Sequence, residues 1–258
     1  AGDLVLDSGT LQTGAATVVD GTGRLRLSGS ATLNAEHALN IDSVFRFDGG
    51  VLGGSAATTI SGAFTWAGGT MAGTGSTTIA GSGTVDNTAA YKFLNRSLTV
   101  SGSLMFGNSS GYYLQLNNGS RLRIAAGATL GTSTADGVIY MASGTGGSAL
   151  ITADSGSNIQ LAAGTELRLR TDNAGSNGIA GSFNLAGEGA LHLDSGTISA
   201  DAATAFTGDG RLLLSSGGTL TGSALVTISS AFDWTGGSMA GAGTTRLRRD
   251  VSLSGNGS

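Results

Sequence analysis

Apolar and polar residues alternate in short runs along the whole chain. Each run is followed by two small residues, a glycine and another apolar residue two to four positions on. Alternation with a period of two is typical of a β-strand with one buried face, and a glycine after it is typical of a corner. The runs begin at Leu4, Leu25, Leu98, Leu122, Ile159, Leu191 and Leu212. The pattern therefore predicts many short strands joined by tight turns.

A second pattern combines aromatic residues with paired glycines. It reads F-x-[FW]-x-G-G-x-[LM]-x-G and occurs at Phe45–Gly54, Phe64–Gly73 and Phe232–Gly241. Its alternation predicts that the first aromatic residue fills one inward position and the second aromatic residue fills the next. The glycine pair then turns the chain, so the following Leu or Met again points inward. The residues expected inside are Phe45, Phe47, Leu52, Phe64, Trp66, Met71, Phe232, Trp234 and Met239.

The sequence also repeats over longer distances. Residues Leu4–Gly54 return as Leu191–Gly241, an offset of 187 with 23 of 51 positions identical. Residues Ile60–Gly75 return as Ile228–Gly243 at an offset of 168, with 11 of 16 positions identical. The two offsets differ by 19, which is also the spacing between the two Phe patterns of the N-terminal half. Gain or loss of a whole unit is typical of stacked repeats, so the repeats predict a solenoid.

These features together predict an all-β fold, a right-handed parallel β-helix with coils of roughly 19–24 residues. The right hand follows from the crossover rule for parallel strands. We expect residues 1–258 to form one elongated domain of about thirteen coils, on the order of 60 Å long. Asp86–Gly189 is less regular and predicts wider coils, with Asp172–Gly181 as a surface loop. Because the chain opens and closes inside repeat copies, we expect it to be part of a longer repetitive protein.

Composition narrows the function classes. The chain has 46 Gly, no Pro and no Cys, with 40% hydrophobic and 12% charged residues and a net charge of −4. The patterned apolar content argues against disorder, and the lack of Cys excludes disulfides and thiolate metal sites. No apolar run approaches the length that a membrane-spanning helix needs, so we expect no membrane-spanning segment. A net negative charge disfavours binding of negatively charged nucleic acid, so we expect no nucleic-acid partner.

Arginine pairs are the most suggestive surface feature. Since positions i and i+2 share a face and the apolar residue between them points inward, the pairs should project from the outside of the rod. One interpretation is that they keep the strands soluble and pair with neighbouring Asp or Glu. The other is a basic stripe that contacts anionic polysaccharide. The candidate contacts are Arg24, Arg26, Arg121, Arg123, Arg168, Arg170, Arg246 and Arg248.

The residues that could carry catalysis form no recognisable constellation. His192 lies between two leucines and should face outward, and His37 lies in a loop-like segment. Ser109 is the centre of a G-x-S-x-G spacing without a following helix, and Gly144-x-Gly146 lacks the rest of a dinucleotide motif. We expect Asp7, Asp154 and Asp194, each starting an Asp-Ser-Gly turn, to cap the turn backbone. The sequence thus predicts no enzyme, with no catalytic, cofactor-binding or metal-binding residues and no cofactor.

The chain resembles a known family in three respects: it has glycine corners, few Lys and Cys residues, and motifs such as FTWAGGTMAGTGSTT (64–78) and FDWTGGSMAGAGTT (232–245). That family is the β-helical passenger or stalk regions of large bacterial surface adhesins, of the autotransporter or filamentous-haemagglutinin type. The resemblance implies a secreted or cell-surface location and a structural or adhesive, non-catalytic stalk. Its expected partners are copies or repeats of itself, stacked end to end, and cell-surface glycans. The alternatives are a β-helix protein that binds or cleaves polysaccharide, through a groove in residues 86–189, and phage tail-fibre material.

Overall fold

The computed structural model describes residues 2–86, 91–107, 113–142, 147–172, 177–249 and 251–254. In these ranges the chain forms 32 strands, most of them short. The first half contains β1 (Asp3–Leu6), β2 (Thr10–Gln12), β3 (Thr17–Val19), β4 (Arg24–Leu27), β5 (Thr32–Asn34), β6 (Leu39–Ile41), β7 (Val44–Phe47), β8 (Val51–Gly53), β9 (Thr58–Ile60), β10 (Phe64–Trp66), β11 (Gly69–Met71), β12 (Ser76–Ile79), β13 (Ser82–Val85), β14 (Lys92–Leu94), β15 (Ser97–Val100) and β16 (Ser103–Phe106). The second half contains β17 (Leu114–Leu116), β18 (Arg121–Ile124), β19 (Thr129–Thr132), β20 (Gly137–Met141), β21 (Leu150–Ala153), β22 (Asn158–Gln160), β23 (Glu166–Thr171), β24 (Gly178–Ala186), β25 (Ala190–Ser199), β26 (Thr204–Gly208), β27 (Arg211–Thr221), β28 (Leu225–Ile228), β29 (Ala231–Trp234), β30 (Ser238–Met239), β31 (Thr244–Leu247) and β32 (Val251–Leu253).

The strands stack in three parallel columns. Through most of the rod each strand pairs in parallel with the third strand after it, so every coil adds one strand to each column. The first column runs from β1, β4 and β7 to β31, the second from β2, β5 and β8 to β32, and the third from β3, β6 and β9 to β30. The long strands β24, β25 and β27 each turn a corner and join two columns. This is the predicted parallel β-solenoid, with about 11 turns and no helix in the described ranges. The right-handed coiling of the solenoid stays a prediction. The described residues contain no helix that is long and apolar enough to span a membrane.

Coil length varies along the rod. Phe64 pairs in register with Phe45, the equivalent residue of the preceding aromatic pattern, so the short coils have the predicted length. Leu130 pairs with Leu104 and Ile159 pairs with Leu130, and both of these spacings along the sequence are longer than that of the short coils. The wider coils expected in residues 86–189 are therefore present, and they reduce the number of turns below thirteen. The predicted loop at 172–181 is wrong from Gly178 onward, where β24 begins, and its residues 173–176 lie outside the described ranges.

The aromatic pattern builds the core as predicted. Phe45 and Phe64 stack with ring centroids 5.4 Å apart, and Phe47 and Trp66 stack at 6.0 Å. All four side chains are at most 2% exposed. The other predicted inward residues, Leu52, Met71 and Phe232, are also buried, whereas Trp234 and Met239 near the C-terminal end are half-buried. Each coil thus covers the apolar cross-section of the next coil, which is the main source of stability in a solenoid.

Glycine at the corner after each aromatic pattern is required by the backbone. Gly54 has φ +103°, and a Cβ built there would lie 2.1 Å from the carbonyl oxygen of Ala35 in the coil below. Gly73, one coil above, has φ +90°, and its Cβ would lie 2.4 Å from the carbonyl oxygen of Gly54. A positive φ and a contact this close both exclude a side chain. Gly73 can therefore stack directly on Gly54, and Gly54 on Ala35, because both upper positions are glycine.

The two copies of the long repeat occupy different columns. Leu4 of the first copy lies in β1 of the first column, whereas the equivalent Leu191 lies in β25 of the second column. Likewise Phe45 belongs to the first column, and the equivalent Phe232 belongs to the second. The long repeat unit therefore contains a whole number of coils plus one further side of the rod.

The terminal coils are less covered than the others. Leu4 and Leu11 of the first coil are 52% and 48% exposed, and Leu253 of the last coil is 71% exposed. The end-to-end stacking expected from the sequence would cover such residues, and it stays a prediction.

Candidate functional site

The arginine pairs project outward, as predicted, but they do not form one stripe. Strand β4 alternates exposed Arg24 and Arg26 with buried Leu25 and Leu27. Two other pairs follow the same alternation: Arg121 and Arg123 in the third column (β18), and Arg168 and Arg170 in the second (β23). The last pair, Arg246 of β31 with the adjacent Arg248, lies in the first column, where Leu247 between them is 45% exposed. The eight candidate glycan contacts are therefore divided among three sides of the rod and several coils. Contact of any one pair with a glycan stays a prediction.

Most of these arginines form ion pairs with carboxylates of the same or neighbouring coils. Arg24 contacts Asp3 at 2.6 Å, and Arg26 contacts Asp48 at 2.7 Å. The other pairs join Arg123 to Asp154 at 2.5 Å, Arg168 to Glu166 at 3.0 Å and to Asp136 at 3.3 Å, and Arg170 to Asp194. The hydrogen bond from Arg123 to Asp154 raises the pKa of this arginine. Within the described ranges, no ion pair involves Arg121, Arg246 or Arg248. The arrangement matches the ion-paired interpretation, and exposed pairs of this kind add little stability.

The three Asp-Ser-Gly aspartates also contact neighbouring coils. Asp7 accepts a hydrogen bond of 2.7 Å from Ser28 Oγ, while Asp154 and Asp194 pair with arginines. We expected these side chains to cap their own turns. In the structure they bond to residues of neighbouring coils instead. The third residue of each motif does have the positive φ of a corner: +76° at Gly9, +84° at Gly156 and +77° at Gly196.

A polar cluster on the outer surface of the second column brings together residues that are far apart in the sequence. His192 lies at its centre and is 7% exposed. Its Nδ1 lies 2.8 Å from Glu166 Oε2, and its Nε2 lies 2.8 Å from Ser215 Oγ. Asp194 Oδ1 lies 3.6 Å from the same Nε2. His192 does face outward, as predicted, but the neighbouring coils cover it and engage both of its ring nitrogens.

An aromatic strip on the same column lies next to this cluster. We define it as Tyr91, Phe93, Tyr113 and Tyr140, from three successive coils. The ring centroids of Tyr91 and Tyr113 are 4.6 Å apart, and those of Tyr113 and Tyr140 are 5.2 Å apart. Burial raises the pKa of Tyr113, helped by the two neighbouring tyrosines and opposed by Arg170. Tyr140 pairs in register with Arg170, so the strip and the polar cluster form one continuous surface.

Two buried cations were not expected from the sequence. Lys92, the only lysine, is fully buried between Gly69 and Leu114, and burial lowers its pKa to about 8 despite the opposing charge of Asp86. Arg96 is 4% exposed, and burial lowers its pKa as well. Its guanidinium donates hydrogen bonds of 2.9–3.4 Å to backbone carbonyls on two successive coils: Gly53 and Ala56 on one, and Ala72, Gly75 and Ser76 on the next.

The other chemical candidates are not brought into any site. Ser109 and the Gly144-x-Gly146 segment lie outside the described ranges. His37 is exposed, and its backbone N–H donates to Thr13 Oγ1 at 3.0 Å. In the part of the chain that the structure describes, no group of three or more His, Cys, Asp or Glu residues is arranged to hold a metal ion.

The comparisons with known proteins give no family. No protein-family model matches the sequence, and neither the curated proteins nor the solved structures contain a match. The features of this protein that bear on its function are the fold, the polar cluster around His192 and the aromatic strip.

Proposed function

We propose that the chain is a structural or adhesive stalk segment of a secreted or cell-surface bacterial protein of the adhesin type. The observation that supports this best is the continuity of the rod. One buried cluster extends from Leu25 to Phe232 without interruption. A solenoid of this kind spaces two points apart with little sequence, because each coil needs to contact only its neighbours.

The surface chemistry fits the same role. Charged side chains are joined along the rod by ion pairs such as Arg26–Asp48 and Arg211–Asp233, which span successive coils. The surface that remains is rich in Ser, Thr and Gly, as suits a chain that meets water on all sides. The sequence resemblance to adhesin stalks points in the same direction.

The proposal predicts that the chain is exposed on the cell surface or released. Antibodies raised against the purified chain should bind intact cells that express its natural gene, or should detect it in the culture medium. The control is an antibody against a cytoplasmic enzyme, which should bind only after permeabilisation. Signal from the chain that appears only after permeabilisation would contradict the stalk proposal.

A second candidate function, binding of a glycan, is favoured by the aromatic strip. Aromatic rings with polar tips suit ligands that are apolar on one side and hydroxylated on the other. The strip also lies in the region of wide coils, and Tyr91 is 41% exposed. Its tyrosines present phenol groups beside Gln115, which pairs in register with both Phe93 and Tyr140. The nearby arginines are already paired, so a neutral glycan is a better fit than an anionic one.

Replacing Tyr113 and Tyr140 together by alanine should weaken binding to any glycan that an array screen identifies. A loss of about tenfold in Kd is expected, because deletion of an aromatic contact in a binding surface commonly costs about 1–2 kcal/mol. Titration calorimetry would measure it. The matched control is Arg123→Ala, on the third column, which should leave Kd unchanged. Equal losses in both variants, or no loss in the tyrosine variant, would contradict binding at the strip.

A further inference from the structure

We propose that Glu166, His192 and Ser215 form a nucleophilic serine site that hydrolyses short acyl esters. The three side chains come from three successive coils of the second column, in strands β23, β25 and β27. His192 Nδ1 lies 2.8 Å from Glu166 Oε2, and His192 Nε2 lies 2.8 Å from Ser215 Oγ. Both distances are within the range required of a nucleophile, its base and the group that orients the base. This activity goes beyond the proposed stalk function and departs from the sequence expectation of a non-catalytic protein.

The first copy of the long repeat contains an equivalent serine with which Ser215 can be compared. Ser28 is the equivalent of Ser215 in the first copy of the repeat, and Asp7 is the equivalent of Asp194. In the first copy Ser28 Oγ donates directly to Asp7 Oδ1 at 2.7 Å, which is a plain structural bond. In the second copy the carboxylate of Asp194 instead pairs with Arg170. Ser215 Oγ lies 2.8 Å from His192 Nε2 and also donates a longer hydrogen bond of 3.3 Å to the backbone carbonyl of Asp194.

One change of residue type contributes to this difference. The position of His192 is held by Val5 in the first copy, where no imidazole can contact the serine. A serine beside an aspartate is not activated toward attack, whereas a serine beside a neutral imidazole can lose its proton as it attacks. The second copy therefore holds a base at the position where the first copy has none.

The backbone at the site is also irregular. Leu169 and Arg170 are consecutive, but their partners Leu193 and Ser195 are separated by one extra residue, Asp194. In the next coil the partners Leu214 and Gly217 are separated by two residues, Ser215 and Ser216. Ser215 keeps the outward position that the alternation of β27 gives it, and the bulge begins at this residue. It lies at an accessible corner, since Ser215 is half-buried while Ser216 and Gly217 are exposed. Bulges are often found beside active sites.

The chemistry needs only an ester and water. Ser215 Oγ bonds to the acyl carbon as its proton passes to His192 Nε2, and the bond from the acyl carbon to the alcohol oxygen then breaks as Nε2 returns the proton to that oxygen. A water molecule next gives a proton to Nε2 while its oxygen bonds to the acyl carbon. The bond from Ser215 Oγ to the acyl carbon then breaks, the carboxylic acid leaves, and Ser215 Oγ takes the proton back from Nε2. Glu166 holds Nδ1–H, and the carboxylate of Asp194 near Nε2 stabilises the imidazolium that forms in each step.

The small residues at this corner set the substrate class. Ser216 and Gly217 leave the hydroxyl open to solvent, and Leu213 is the half-buried apolar neighbour on the same strand. A short acyl group, such as acetyl, fits such a surface better than a long chain. The alcohol portion is free to extend along the rod toward the aromatic strip.

The test uses the full chain with a fluorophosphonate, which labels activated serines, and with p-nitrophenyl acetate. Peptide mass spectrometry should show label on Ser215 at a rate at least tenfold above that on Ser28 and Ser216. Ser215→Ala should reduce p-nitrophenyl acetate hydrolysis at least tenfold, whereas the control Ser28→Ala should leave it unchanged. Circular dichroism would confirm that each variant is folded.

Two further variants separate base and positioning roles. His192→Ala should lose activity and recover part of it when free imidazole is added. Glu166→Gln, which keeps the shape of the side chain, should lower kcat about tenfold with little change in KM, as expected of a positioning residue. Equal labelling of Ser215 and Ser28, or unchanged hydrolysis by a folded Ser215→Ala variant, would overturn the serine-site proposal. That result would leave the stalk proposal untouched, because the stalk proposal does not depend on chemistry at this surface.

Discussion

Replacing Arg96 by methionine is expected to lower the free energy of unfolding by roughly 3–5 kcal/mol, since large losses of this kind follow from breaking a buried hydrogen-bond network. The guanidinium is 4% exposed and donates to five backbone carbonyls on two coils. Methionine fills much of the same space but donates nothing, so these carbonyls lose a charged partner in a site that water does not reach. Urea unfolding monitored by Trp66 fluorescence, in a Trp234→Phe background, would measure the loss.

The matched control is Arg121→Met, the same change at an exposed arginine that forms no ion pair with any described residue. It should change stability by less than about 0.5 kcal/mol. Arg96→Lys should fall between the two variants, because an ammonium keeps the charge but lacks the planar fork that contacts several carbonyls at once. If Arg96→Met and Arg121→Met unfold at the same urea concentration, the hydrogen bonds of Arg96 to the five carbonyls do not stabilise the fold.

Lys92→Met should have the opposite effect and stabilise the protein by about 2 kcal/mol at pH 7, because a lowered pKa means that the ammonium is less favourable in the folded protein than in the unfolded chain. Burial lowers the pKa of Lys92 to about 8 from an ordinary value of 10.5. Between these two values the unfolded chain binds a proton that the folded protein has released, so wild-type stability rises with pH. The gain is nearly complete at pH 10.5 and amounts to roughly 3 kcal/mol.

The measurement is the difference in unfolding free energy between wild type and Lys92→Met at pH 7, 9 and 10.5. Other titrating groups are common to both proteins and cancel in the difference. The advantage of the methionine variant should therefore shrink as pH rises through this window. A difference that stays constant with pH would show that the lysine ammonium is not desolvated in the folded state.

The sequence was sufficient to predict the fold because the physical constraints on it are local and repeated. The alternation of Phe45 and Phe47 sets which side chains are buried, and the glycine pair after them sets the corner. Phe64 and Trp66 repeat that constraint one coil later, in the register that the structure shows. Parallel stacking follows, because each copy of the pattern can cover only the copy before it.

The two buried cations could not be predicted in this way. In β14 the alternation places Lys92 inward and Phe93 on the outer side, the reverse of what residue type alone indicates. The partners of Arg96 are carbonyls about 20 and 40 residues earlier. A backbone carbonyl has no signature in the sequence, so such a contact is visible only once the coils are stacked.

The candidate site was missed for a different reason. Ser215 lies 23 residues from His192, which lies 26 residues from Glu166. Unequal coil lengths and the bulge at Asp194 together decide which residues meet, and neither is fixed by a regular period. The comparison of Val5 with His192 was the available signal, because a change from an apolar residue to an imidazole at equivalent positions marks a local specialisation. The aromatic strip was equally hidden, since its four members fit no single repeat phrase.

The change of column between the two repeat copies affects how any copied surface is presented. A ligand-contacting residue duplicated with the long repeat unit is carried to an adjacent side of the shaft, so a flat receptor lying along one side meets only one of the two copies. Avidity from the pair then requires a partner that wraps around the shaft, or several partners approaching from different directions. Duplication in this protein thus distributes equivalent residues around its circumference.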